Sequence, residues 1–473
     1  MLDLAGKKLV VFGFSPRTGV SAARFALKKG ARVIAVDKKP KDAHTAALAE
    51  LGQDMPPEFL RNFELIAGEQ PARALDNAAL MILSPGVPRT GELCDEAARR
   101  GIPVIGDIEL AWHFAHCRIA GITGTDGKST VVSMVGSILA QQSRGCIAGN
   151  IGIPVLNVVE EIPQDQILAL ELSSFMLESI DEFSPELGAI LNFGADHLDR
   201  YPDMESYLQA KLRLFTHLAR GAKAVYPLDS AYTGRFASAV PDGVTHIPFG
   251  AGGAVHLSRG SADQADSRAW IMRQDTPIMP LSELRVFGQH NSTNALAAAA
   301  ISHALGIPDA EIRAGLADFS GLPHRYEYAG VVSGVRFIND SKATTVSAVM
   351  SAAESAGAGA SILLGGRDKG LDFTPLAASI RAKGLKVFPF GEAGAKIRAQ
   401  LAAALGSDAA LSPVEARLES AIKRAYASAL DRKAGEVVLS PGCTSFDEFD
   451  NFEVRGDFFR DWVRKQGAEA KGG

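Results

Sequence analysis

The sequence predicts an α/β protein of three domains, and two observations carry that expectation. Short, nearly continuous apolar runs recur along the chain, each ending in a turn rich in Gly, Ser or Asp and followed by a helical pattern. Such alternation marks strands buried on both faces of a mostly parallel sheet. The chain is also 473 residues long, more than one ordinary hydrophobic core organises.

The elements follow in order. Residues 9–12 form a strand that meets turn residues at Gly13, a helical pattern runs to Lys29, and a second strand, 32–36, ends at Asp37. This is a βαβ unit. Gly13 and Gly19 do not make the GxGxxG turn, which disfavours a nicotinamide dinucleotide. LMILSPGVP (80–88) is a strand entering a Ser-Pro-Gly turn. A nucleotide-like ligand over the C-terminal strand ends suits this topology. The first domain is expected over 1–107. The second, 108–320, holds the strand–loop–helix RIAGITGTDGKST, the strand QILALELSS, the strand and polar loop GAILNFGADHLDRY, and the strand AKAVYPLD. Residues 250–280, rich in Gly, Ser, Asp and Ala, read as loops with short strands. The third, 321–473, has four strand-then-turn segments, GVRFINDSKAT, SILLGGRDKG, LKVFPFG and EVVLSPGCTSFDEF, with helical patterns between them. The tail KQGAEAKGG reads as frayed.

Composition narrows the function. Net charge is −5 and pI about 6.1, which argues against nucleic acid or an anionic membrane surface as partner. An acidic ligand then requires a local cationic pocket. Cys94, Cys117, Cys146 and Cys443 form no CxxC pair, as expected of free thiols in a reducing cytosol. No apolar run reaches the roughly 18–20 residues of a membrane span, and the start carries no signal-peptide pattern. A soluble cytoplasmic protein is expected.

The chemistry concentrates at strand ends. In GTDGKST, Gly124, Thr125 and Gly127 precede Lys128, Ser129 and Thr130 at the start of an apolar helix. Glycines let backbone N–H groups turn toward phosphate oxygens, and the helix N-terminus favours anions. The lysine suits the β and γ phosphates and the serine a Mg²⁺ ion. Ile122 stands where the general GxxxxGK[ST] pattern has its first glycine. Glu171, ending a buried strand, suits either a metal or an ion pair. His197 reads as a structural hydrogen-bonder or a ligand. Lys211, in the helical YLQAKLRLF, reads from the residues alone as a solvated lysine. Asn291 and Asn294, before an Ala-rich helix, suit a helix cap or a purine. Arg325, Asp340, Lys342, Thr344, Lys369, Ser445 and Phe452 lie at strand ends of the third domain, where turn chemistry and ligand contact look alike.

Taken together, GITGTDGKST, GNIG, LELSSFMLE, DHLDRY, AKLRLF, GQHNSTNALA, LPHR, NDSKAT, LLGGRDKG and LSPGCTSFDEF resemble the Mur ligase family in number and order, over most of the chain. The family's shorter GTxGK loop accommodates Ile122. The resemblance implies an N-terminal Rossmann-like domain for the UDP substrate and a central P-loop ATPase-like parallel sheet for ATP. It implies a C-terminal Rossmann-like domain for the amino acid, closing over both. The implied reaction is ATP-dependent addition of D-glutamate to UDP-N-acetylmuramoyl-L-alanine through an acyl phosphate, in peptidoglycan synthesis, by a monomer with two Mg²⁺ sites. Asp37, Ser84 and Gly86 match the uridine diphosphate site, and Asn150 and His197 the muramoyl-alanine end. Lys128 and Ser129 match the ATP-phosphate and Mg²⁺ loop, and Glu171 and His197 metal ligands. Lys211 matches a lysine carbamylated by CO₂, which reverses the solvated reading. Asn291, Asn294, Arg325 and Asp340 match nucleotide contacts, and Thr344, Lys369, Ser445 and Phe452 the D-glutamate pocket.

Two departures stand out. FGADHLDRY replaces the commoner VTEDHLDRY, and Ser15 and Pro16 stand where relatives often have a second glycine. The alternatives are a related Mur ligase or a folylpolyglutamate synthase adding a different amino acid, an ATP-switched binding protein, and an NAD-dependent oxidoreductase.

Overall fold

The structure is a computed structural model, and it describes residues 2–53, 55–197, 200–259, 269–286 and 288–472. The chain divides into two compact units, Met1–Leu284 with His290–Phe319, and Arg285–Gln289 with Ser320–Gly473.

The first unit holds two sheets. One has β1 (Lys8–Phe12), β2 (Arg32–Asp37), β3 (Phe63–Ala67), β4 (Ala78–Leu83) and β5 (Val104–Gly106), in the order β3-β2-β1-β4-β5 and parallel throughout. The other has β6 (Arg118–Thr123), β7 (Gly145–Gly149), β8 (Ile167–Glu171), β9 (Leu187–Ile190), β10 (Lys223–Pro227), β11 (Thr245–Phe249), β12 (Val255–Arg259), β13 (Ala269–Arg273) and β14 (Thr276–Pro280). Its order is β14-β13-β12-β11-β10-β9-β6-β8-β7. The strands from β6 to β11 are parallel, and β8 is buried at every residue, as apolar strands covered on both faces must be.

The sheet is parallel over its central strands and antiparallel at one end. β12 pairs antiparallel with β13, and β13 with β14. The 250–280 segment therefore holds the short strands β12, β13 and β14, with β14 at the sheet edge and β13 only partly buried. Residues 260–268 of that segment lie outside the described residues. One apolar core runs through both sheets, from Leu9, Phe25 and Ile105 to Leu170, Phe183 and Leu214. Trp112 meets Phe183 edge-on at 5.7 Å.

The second unit holds β15 (Glu327–Val332), β16 (Val335–Asn339), β17 (Ser361–Gly365), β18 (Lys386–Phe390) and β19 (Glu436–Gly442), in the order β15-β16-β19-β17-β18. β15 is antiparallel to β16, and the other pairs are parallel. The sequence reading has the other four strands and misses β15. It is an edge strand whose Tyr328 and Val331 stay exposed, so its pattern is weak. The tail is not frayed in the described residues. A helix spans Phe452–Gly472, anchored by buried Phe459, Trp462 and Val463.

Candidate active site

In the second sheet of the first unit, β6, β8 and β9 lie side by side, and all three release their loops at the same edge. Chain direction alone thus brings the phosphate-type loop, Glu171 and the His197 loop to one side. The loop between β6 and the helix Lys128–Ala140 turns at Gly127, whose φ of 76° suits glycine. A Cβ there would lie 2.4 Å from Asn294 Oδ1, so the backbone approaches that amide closely. Asn192, just after β9, accepts the N–H groups of Thr125 at 3.0 Å and Asp126 at 2.9 Å. It returns a bond to the Asp126 carbonyl. Lys128 donates to the Gly124 and Thr125 carbonyls at 2.8 and 2.7 Å. Ser129 is buried and Thr130 partly so.

Lys211 is buried at 1% exposure, on the helix Met204–Thr216. The reading of a solvated lysine is thereby corrected: the helix turns this residue inward among Tyr207, Leu208, Leu212 and Leu214. Its Nζ donates to the Gly124 carbonyl at 2.7 Å and lies 4.6 Å from the Tyr207 ring centre. Lys128 and Lys211 thus share one acceptor. Burial, and next the charge of Lys128, push the Lys211 amine down to about 6.

Glu171 ends β8 at 1% exposure, with no ion pair among the described residues, so the surface ion-pair reading fails. Its Oε1 accepts from Asn150 Nδ2 at 2.8 Å, while its buried Oε2 has no hydrogen-bond partner among the described residues. An orphaned, buried carboxylate oxygen suits a hard divalent cation. His197 takes φ 54° and lies against Phe175 at 4.9 Å and Tyr207 at 5.8 Å. Leu198 and Asp199 of DHLDRY lie outside the described residues. Among the described residues, the one group of three close His, Cys, Asp or Glu donor atoms is Glu109, His113 and Glu182. The Glu109 carboxylate there is already bonded by the N–H groups of Asp181, Glu182 and Phe183. Asn291 is buried and Asn294 partly so, three residues apart on the helix Gln289–Ala304, with Asn294 facing the Gly127 turn.

At the first sheet, Asp37 and Ser84 stand at the C-terminal ends of β2 and β4. Asp37 accepts the N–H groups of Phe14 and Lys39, each at 2.9 Å. Ser84 donates to the Gly13 carbonyl at 2.5 Å. Gly86 is exposed, and its carbonyl accepts from Arg200 at 3.4 Å.

The second unit repeats the principle. Asp340 follows β16, Lys369 follows β17 and Ser445 follows β19, all at the C-terminal edge of parallel strands. Asp340 accepts from Tyr326 N–H at 3.1 Å and Ser440 Oγ at 2.8 Å, and burial pushes its carboxyl up to about 7. Arg325 is partly buried and acts on it as a nearby positive charge. Lys369 is exposed and Thr344 half-buried. Ser445 is buried, with its hydroxyl unpartnered among the described residues. Phe452 lies under the Lys342 ammonium at 5.1 Å.

Sequence reasoning missed Asn192, Tyr207 and Arg455. Arg455 is fully buried and bonds Ser341 and the Cys443 carbonyl, tying together the loops that carry Thr344 and Ser445. Asn192 carried a signal, a polar residue directly after an apolar strand. The other two sit on helices, where nothing local marks them.

Residues 7–106 match the model of the Mur ligase MurD-like N-terminal domain, and residues 122–302 that of the Mur ligase middle domain. The UDP-N-acetylmuramoylalanine–D-glutamate ligase of Koribacter versatilis is 34% identical, covering 99% of this chain and 100% of that protein. The enzyme of that name from Salinibacter ruber is 36% identical over 94% of this chain and 95% of its own. Among solved structures, MurF ligase from Thermotoga maritima in complex with ADP has a TM-score of 0.59 at 17% identity, covering 99% of this chain and 100% of that one. The UDP-N-acetylmuramate–alanine ligase MurC of Thermotoga maritima has 0.57 at 18%, covering 97% and 99%. Those two likenesses speak for the fold, and the full-length relatives above 30% identity for descent: this chain belongs to the Mur ligase family.

Proposed function

We propose that this protein is an ATP-dependent ligase that joins D-glutamate to UDP-N-acetylmuramoyl-L-alanine through an acyl phosphate, in peptidoglycan synthesis. One observation carries the reading: Lys211 is buried at 1% exposure and donates to the same Gly124 carbonyl as the phosphate-loop lysine. A nucleotide switch has no use for a second, costly buried amine at its phosphate loop. A ligase does, if CO₂ converts that amine to a carbamate and so to an oxygen ligand. The names of the full-length relatives agree with this reaction and this amino acid.

A carboxylate resists attack by an amine, because it is charged and resonance-stabilised. Moving the ATP γ-phosphoryl onto the L-alanyl carboxylate supplies a leaving group, and the D-glutamate amine then expels phosphate to form the amide. Lys128 and the loop N–H groups hold the phosphates. Asn291 and Asn294, with Arg325 and Asp340, contact the nucleotide. Asp37, Ser84 and Gly86 hold the uridine diphosphate end, and Asn150 and His197 the muramoyl-alanine end. Lys369 holds a D-glutamate carboxylate by charge and Thr344 by a hydrogen bond, with Ser445 and Phe452 completing the pocket.

Ser129 and Glu171 fit one Mg²⁺ by their hard oxygens, and His197 with carbamylated Lys211 a second. When bound, these ions screen the repulsion between the acceptor carboxylate and the γ-phosphate. We assign UDP-substrate binding to 1–107, ATP binding to 108–320 and the amino acid to 321–473, and we place the reaction in the cytoplasm.

Phosphate release by the purified protein tests this. Release is expected only with ATP, UDP-N-acetylmuramoyl-L-alanine and D-glutamate together, and ¹⁸O in the L-alanyl carboxylate should pass into the phosphate. Equal turnover with L-glutamate, meso-diaminopimelate or a folate, or phosphate free of the label, would overturn it.

A further inference from the structure

We propose that Glu178 is a positioning residue for the loop that carries His197, acting through Arg200 and Tyr201. The proposal rests on the reading of His197 as a metal ligand given above. Glu178 follows the four-residue helix Ser174–Leu177, seven residues beyond Glu171. Its carboxylate divides between two donors: Oε2 accepts from Arg200 Nη2 at 2.8 Å, and Oε1 accepts from the Tyr201 hydroxyl at 2.5 Å. Both donors then act on His197. The N–H groups of Arg200 and Tyr201 each donate to the His197 carbonyl at 3.0 Å. The Arg200 guanidinium lies 4.4 Å above the Phe175 ring, and that ring packs 4.9 Å from the imidazole. Tyr201 packs 5.1 Å from Tyr207, whose ring stands edge-on to His197.

The loop needs such support. His197 holds φ 54°, a conformation that costs free energy for a residue with a Cβ and persists only where its surroundings impose it. Neither Phe175 nor Tyr207 is covalently near it. The Glu178–Arg200 pair is suited to the task, since its side chains are only 23% and 18% exposed and solvent screens it less than a surface pair. Arg200 also donates to the Gly86 carbonyl at 3.4 Å. The same guanidinium therefore ties the His197 loop to the Ser-Pro-Gly turn assigned to the uridine diphosphate end. Removing Glu178 leaves His197 in place but takes away the shared acceptor of Arg200 and Tyr201, the two residues that bond its carbonyl and pack on its flanking rings.

The test compares wild type with Glu178→Ala, Glu178→Gln, Tyr201→Phe and His197→Ala. Readouts are Mn²⁺ binding by electron paramagnetic resonance with a non-hydrolysable ATP analogue, kcat, KM for ATP, and Tm. Losing an outer support of a metal ligand costs about 10- to 100-fold. Glu178→Ala is expected to weaken Mn²⁺ binding and lower kcat within that range, with KM for ATP unchanged. Tyr201→Phe is expected to shift both in the same direction by less. Glu178→Gln keeps the shape of the side chain and one acceptor, so it should hold the fold and still show the metal defect. It decides the matter if the alanine variant fails to fold. Folded Glu178 variants with wild-type Mn²⁺ binding and kcat, and a lowered Tm alone, would reduce Glu178 to a structural ion pair and overturn the proposal. Wild-type Mn²⁺ binding in His197→Ala would instead sink the ligand reading beneath it.

Discussion

At the scale of single residues, two desolvated titratable groups make opposite predictions. Lys211 titrates at about 6 when folded against an ordinary 10.5, with burial as the first cause. Between those values the unfolded chain binds the extra proton, so this group makes stability rise with pH across that window. Lys211→Met removes that slope. In CO₂-free buffer the variant should resist urea better than wild type near pH 7, with the gap closing toward pH 10, and it should be inactive. Lys211→Ala should lose more activity than the roughly 10- to 100-fold typical of an outer-shell partner, and acetate or formate should restore part of it. Wild-type rates in that variant would end the carbamate reading. Asp340 runs the other way. Its carboxyl sits at about 7 when folded against an ordinary 3.8, so its contribution is fully present below 3.8 and is lost as pH rises through 7. Asp340→Asn should flatten the decline in stability between pH 4 and 7, measured by urea titration at fixed temperature.

At the scale of elements, the phosphate-type loop is held from both sides. Asn192 accepts two of its N–H groups, and Asn294 reaches the Gly127 backbone from a helix far along the chain. Gly127→Ala introduces a left-handed Cβ, at a cost of about 1–2 kcal/mol, and drives that Cβ into Asn294 Oδ1. Titration calorimetry should show ATP affinity falling more than the modest drop in Tm accounts for, because one substitution disturbs both the loop and a proposed nucleotide contact. Unchanged affinity would remove Asn294 from the nucleotide site. The antiparallel strands teach a separate lesson. β13 and β15 are only partly buried, whereas β8 and β17 are buried at every residue, so burial on both faces marks the parallel strands and not these.

At the scale of the whole molecule, two compact units within one chain predict departure from two-state unfolding. Scanning calorimetry should give a calorimetric enthalpy above the van't Hoff value. A non-hydrolysable ATP analogue should raise the apparent Tm in proportion to the logarithm of its concentration above Kd. A single transition with equal enthalpies would mean that the units unfold as one.

What the sequence by itself determined was the α/β alternation, most of the central strands, and the placement of Gly124, Lys128, Glu171, Asp340 and Ser445 at strand ends. Each of these is written in local periodicity and turn chemistry, which a short window contains. Tertiary structure alone decided the rest. A helical lysine reads the same whether its face meets water or a core, so only packing shows Lys211 buried beside Lys128, where burial lowers its amine's pKa. Only packing brings Asn294 to Gly127 and Glu178 to the His197 loop. Those contacts join residues from 22 to 167 positions apart, and distance along the chain carries no trace of proximity in space.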